Sequence, residues 1–208
     1  MADKRWWVAG LAILGLAGGL YAVRRMLVMS APTCFAGHWH GCYDTDNGVV
    51  LMTLVGMPLA ALAAGALTLL AGGGRHRLAE VGMVYGTVPM VWLTMMPGPG
   101  AGVVPGRVSL IPLVDLAGMG VLGIAGNLVV LGALGFFAPM RFAALTSLPR
   151  ILALGAGCSL LIETAQYVFR LDRVSSIDDV LVNATGAMLF GLASRRWWEP
   201  SPVPVAAD

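Results

Sequence analysis

The chain has 208 residues, 58% of them hydrophobic and 12% charged, with a formal net charge of +2 and a mean hydropathy of +0.80. A soluble domain needs a charged surface and rarely reaches this balance. The small net charge, with no basic stretch interleaved with aromatics, also excludes nucleic acid as an implied partner.

The apolar residues come in blocks separated by short polar punctuation. That pattern predicts an all-α protein, a polytopic transmembrane helical bundle of about six spans, at roughly 6–23, 49–71, 79–96, 119–139, 151–169 and 179–194. The first block opens on Lys4, Arg5, Trp6 and Trp7. It has a basic start and an apolar core. The core is long, Arg24 and Arg25 follow it directly, and no A-x-A site stands nearby, so an uncleaved span is expected.

The loop after it reads CFAGHWHGCYDTDNG. Cys34 and Cys42 suit a disulfide if this loop faces an oxidising compartment. Cys34, His38, His40 and Cys42 as metal ligands are the competing reading, with free thiols a third. The spacing matches no zinc pattern closely, so the disulfide is adopted and no metal site is assigned.

The second block holds small-residue pairs such as Ala61 with Gly65, which let helices approach closely. The third, 79–96, is short. The segment PGPGAGVVPG at 97–106 is too interrupted by Pro and Gly to be a regular helix. It reads as an outer loop leading to Arg107. The sixth block is also short, with Trp197 and Trp198 at its end, where amphipathic rings suit the headgroup level. Residues 197–208 read as a Pro-rich tail expected to be disordered. Residues 1–106 are taken as an N-terminal helical region and 107–196 as the region carrying the motifs below.

With the N-terminus inside, Lys4, Arg5, Arg75, Arg77, Arg141, Arg150, Arg195 and Arg196 fall on the cytoplasmic side, and Arg24, Arg25, Arg107, Arg170 and Arg173 on the outer side. The excess predicts both termini in the cytoplasm.

A polar trail crosses the second half: Asn127, Glu163, Gln166, Arg173, Asp178, Asp179 and Asn183. Polar groups at membrane depth are costly and usually face a bundle interior. Ser159, Glu163, Gln166 and Arg170 follow helical spacing and fall on one stripe, as do Asp179, Asn183 and Gly186. With spans of alternating direction, these sets and Asn127 lie in the outer half of the bilayer. A pocket open to the outside is expected there, with Arg173 or Arg107 as the cation and an Arg173 contact expected to hold Glu163 charged. Plainer roles compete. Ser176 to Asp179 fits a helix cap. Asn127, Gln166 and Asn183 suit helix-to-helix hydrogen bonds. Glu163 fits these roles least, because a buried carboxylate needs a cation or a proton.

The segment from Arg107 to Arg196 resembles the VanZ-like family of bacterial membrane proteins. The resemblance rests on Ser109-Leu110-Ile111-Pro112-Leu113, on Asn127 through Pro139, on Ser159 through Gln166 (SLLIETAQ), and on Arg173, Asp178-Asp179, Asn183 and Gly186. Ser109 stands where the family usually has Asn, and Ala133 where it often has Pro. The resemblance implies a place in the cell envelope and a link to tolerance of the glycopeptide teicoplanin. It names no reaction.

Three functions compete. In the first, an outward polar pocket binds a lipid-linked wall precursor, a lipid headgroup or the glycopeptide, with Arg173 on an anionic group and the trail residues fixing orientation. In the second, a membrane enzyme uses Glu163 as general base, with Asp178 or Asp179 orienting it or holding a divalent ion. In the third, Glu163 carries protons for a transporter. The motifs hold no Ser-His or Cys-His pair and no dense ligand cluster. Binding is therefore preferred over catalysis, catalytic roles being confined to Glu163 and Asp179, and no cofactor is expected. The implied partners are membrane lipids, and the implied location is the bacterial plasma membrane.

Overall fold

The computed structural model describes residues 17, 21, 24, 27–36 and 41–199. The expected first span lies almost wholly outside these residues, as do His38 and His40. Six helices are defined among the described residues: α1 Asp46–Ala71, α2 Gly74–Thr94, α3 Leu116–Val130, α4 Gly132–Arg141, α5 Leu148–Val168 and α6 Ile177–Ala193. Two three-residue strands, β1 Arg107–Ser109 and β2 Val174–Ser176, are the only sheet among them.

Three stretches are long and apolar enough to cross a membrane: α1, the combined α3–α4 run Leu116–Arg141, and α5. The other two helices fall short for visible reasons. α2 begins on Arg75, His76, Arg77 and Glu80, and α6 has 17 residues. The fourth expected span is interrupted twice. Gly120 takes φ 65 and ψ 171, a conformation open to glycine alone, and Leu131 caps one helix before the next begins.

The chain divides into two compact units at Met57/Pro58, inside α1. In the first, Cys34 and Cys42 are joined by a disulfide, and both are buried with Leu51.

In the second unit α6 is the central helix, packed by α3, α4 and α5, while α2 packs chiefly on α4. Small residues allow the approach. A Cβ on Gly135 would stand 2.0 Å from the Ala187 carbonyl oxygen, and one on Gly186 would stand 2.0 Å from that of Leu128. These helix backbones touch, as membrane packing favours. Val130, Leu131, Ile151, Ile162 and Ala187 form the core around the contact. The outward faces are strongly apolar. Leu122 is 88% exposed and Leu161 71%, a surface suited to lipid and not to water.

Chain order does not predict the pairing of β1 with β2. They run parallel, Arg107 opposite Val174 and Ser109 opposite Ser176. This brings the 107–115 segment against the start of α6. The chain also stays packed beyond α6. Trp198 Nε1 donates to Gly191 O (3.1 Å), and Glu199 N donates to Pro139 O (2.9 Å). Residues 197–199, expected as part of a disordered tail, are thus held in place. The reason is local: the indole shares the Gly191 carbonyl with Ser194 and also donates to Ser194 Oγ at the end of α6.

Candidate functional site

α5 and α6 are antiparallel neighbours joined by the turn at 169–176. On α5, Ser159, Glu163 and Gln166 are buried on the same side as Ile162. On α6, Asn183, Ala184, Gly186 and Ala187 are buried. The two polar stripes therefore face each other across the contact.

Between them lies a cavity of about 380 Å³. Asn127, Glu163, Gln166, Arg173, Asp179 and Asn183 line it, with Thr94, Gly123, Ile162 and Val174. Four helices and β2 contribute. Glu163 is 6% exposed and Asn183 2%.

The hydrogen bonds give each group a distinct position. Glu163 Oε2 accepts from Ser176 N (3.0 Å), and the Glu163 carbonyl accepts from Ser175 Oγ (2.8 Å). The start of α6 is thereby tied to the middle of α5. Asn127 Nδ2 donates to the Asp179 carboxylate, joining α3 to α6. Asn183 Nδ2 donates to Ser159 Oγ (2.8 Å), and its Oδ1 has no partner.

Gln166 and Arg173 serve the end of α2. Gln166 Nε2 donates to Thr94 O (3.0 Å), and Arg173 Nε donates to Met96 O (3.2 Å). These carbonyls lie at or just past the helix end, where no intrahelical donor remains. Among the described residues no ion pair joins Arg173 to Glu163. Arg173 acts on Glu163 only through space, the direct bonds of the two going to the Met96 carbonyl and the Ser176 amide. Arg173 stays at the cavity edge, exposed.

Asp178 does not line the cavity. Its carboxylate accepts from the amides of Leu113 (2.6 Å), Asp115 (2.9 Å) and Leu116 (3.1 Å). It is an anion held in a nest of backbone N–H groups. Leu113 sits there at φ 69, which a non-glycine residue adopts only when held. Ser176 caps α6, its Oγ accepting from Asp178 N, and donates the same hydroxyl to Asp115 (2.7 Å). The hydroxyls of Ser109 and Ser176 hold the Asp115 carboxyl below the usual aspartate range. Asp178 and Asp115 thus fasten the 107–115 segment, while Asp179 alone of the pair faces the cavity.

Reasoning from sequence did not find Thr94, Gly123, Asp115 or the Ser175–Ser176 strand. Only Asp115 carried a usable signal, an acid directly before an apolar block. Among the described residues no three His, Cys, Asp or Glu side chains gather as a metal site would require.

Residues 83–197 match the family model described as VanZ/LLP1, a little over half of the 208 residues. The match reaches upstream of Arg107 into α2, the helix whose end closes the cavity. No curated protein and no solved structure matches the chain.

Proposed function

The chain belongs to the VanZ/LLP1 family, and on that footing we propose that it is a binding protein of the bacterial plasma membrane. Its polar cavity opens outward and engages the polar part of a lipid-linked wall precursor, a lipid headgroup or a glycopeptide, contributing to glycopeptide tolerance. One observation carries this reading: six polar side chains from three helices and the loop before β2 line a single cavity in an otherwise apolar bundle. Structural hydrogen bonds alone would close such groups onto one another. Here space remains, and a buried Asn183 oxygen is left unpartnered.

An enzyme is the second reading, because Glu163 and Asp179 border the same space. General acid–base work needs a titratable group within reach of substrate, and Glu163→Gln removes it while keeping the shape.

The test is a deletion strain challenged with teicoplanin and with vancomycin. Complementation by the wild-type gene should restore teicoplanin tolerance, and Asp179→Asn should not. Unchanged susceptibility to both drugs in the deletion strain would overturn the resistance role. Full restoration by Glu163→Gln would remove the enzyme reading and leave binding.

A further inference from the structure

Glu163 borders two cavities. One is the polar cavity. The other, about 190 Å³, is lined mainly by Val108, Leu110, Leu160, Tyr167 and Val180. Its mouth is flanked by exposed apolar side chains, Leu110 at 73% and Leu160 at 57%. A polar and an apolar compartment meeting at one side chain suit a ligand with both characters.

Charge decides the chemistry of the polar end. The ionisable groups lining that cavity are Glu163, Asp179 and Arg173. Arg173 stands exposed at the edge, its Nε bonded to Met96 O. The interior is therefore dominated by acceptors. Glu163 accepts one amide at Oε2, and Asp179 accepts from Asn127 at Oδ1. An ionised carboxylate can accept about four hydrogen bonds, so both have capacity left. Asn183, 2% exposed, adds an Oδ1 with no partner at all. A ligand that donates hydrogen bonds and brings positive charge fits these acceptors and favours the ionised form of both carboxyls. An anion would meet Glu163 and Asp179 with only Arg173, which acts on both from the cavity edge, to offset them.

A bare metal ion fits poorly. The ligand cluster is absent among the described residues. The cavity of about 380 Å³ also far exceeds one ion, since a water claims about 30 Å³ of liquid volume.

We propose that the site receives an ammonium-bearing amphiphile, its ammonium among Glu163, Asp179 and Asn183 and its hydrocarbon in the apolar cavity beside Glu163. This rests on the binding reading above and names the ligand class for the same cavity.

The full chain, in micelles of the uncharged detergent dodecyl maltoside, is titrated with dodecylammonium, dodecanol, dodecyl phosphate and magnesium chloride. Binding is read by calorimetry and folding by thermal unfolding. Dodecylammonium should bind and raise Tm. Glu163→Gln and Asp179→Asn should each weaken it about tenfold, equivalent to about 1.4 kcal/mol. Leu161→Ala, on the lipid-facing side, should leave it unchanged. Should one carboxylate variant fail to fold, the other decides. Equal binding of dodecanol would overturn recognition of charge. Tighter binding of dodecyl phosphate, lost in Arg173→Gln, would overturn the ammonium class and keep the binding reading. Stabilisation by magnesium alone would replace the amphiphile with a metal. No cavity-dependent binding of any probe would overturn the amphiphile proposal, while the drug-challenge test above judges the binding reading separately.

Discussion

Asp178 and Asp179 are adjacent, chemically identical side chains put to opposite uses. Asp178 closes three amides of the 113–116 turn, while Asp179 faces open space with Asn127. The helical period separates them: neighbours on a helix point about 100° apart. That period, read from sequence, groups Glu163 with Gln166 and Asp179 with Asn183, and all four line the cavity. It could not assign partners, because the groups bound by Gln166 and Arg173 are backbone carbonyls, which leave no mark in composition. Asp178→Ala should strip an anion from three amides at once. Hydrogen bonds to a charged group are worth about 1.5–3 kcal/mol each, so a loss of at least about 2 kcal/mol is expected. Thermal unfolding in nanodiscs measures it, and an unchanged Tm would refute the assignment.

Among the helices of the second unit, α6 makes the closest backbone contacts. Gly186 lies against the Leu128 carbonyl with no room for a methyl group. Gly186→Ala should cost about 1–3 kcal/mol through forced separation of α3 and α6. It should also loosen the Asn127–Asp179 bond, readable as faster hydrogen exchange near Asp179. The apolar blocks made the helices legible, but the breaks at Gly120 and Leu131 were not, since the run around them stays apolar. The β1–β2 pair was equally hidden. Three-residue strands in loops carry no period, and their pairing is set by Asp115, Asp178 and Ser176. Asp115 gives this segment a pH dependence. Its carboxyl is held low by the Ser109 and Ser176 hydroxyls. A depressed carboxylate adds stability above its ordinary value, near 3.9, and loses it as pH falls through the folded value. Protease cleavage in 107–115 should therefore rise on acidification below about pH 4. In Asp115→Asn that step should vanish.

At the scale of the molecule, orientation decides what the cavity can meet. The placement of Lys and Arg predicts that a reporter fused after residue 208 and another in the 72–77 loop both read cytoplasmic. Either one reading outside would invert the bundle. The same prediction would put the Cys34–Cys42 bond on the oxidising side, where such bonds persist.

The most direct measurement of the central claim uses a single thiol at the cavity. Val174 lines it and is 38% exposed. Val174→Cys in a Cys158→Ala background is treated on intact cells with a membrane-impermeant maleimide, with Ser147→Cys at the opposite end of α5 for comparison. Position 174 should label on intact cells and be protected by the bound ligand, and position 147 should label only after the membrane is opened. Labelling at 147 on intact cells with none at 174 would contradict an outward-opening binding cavity.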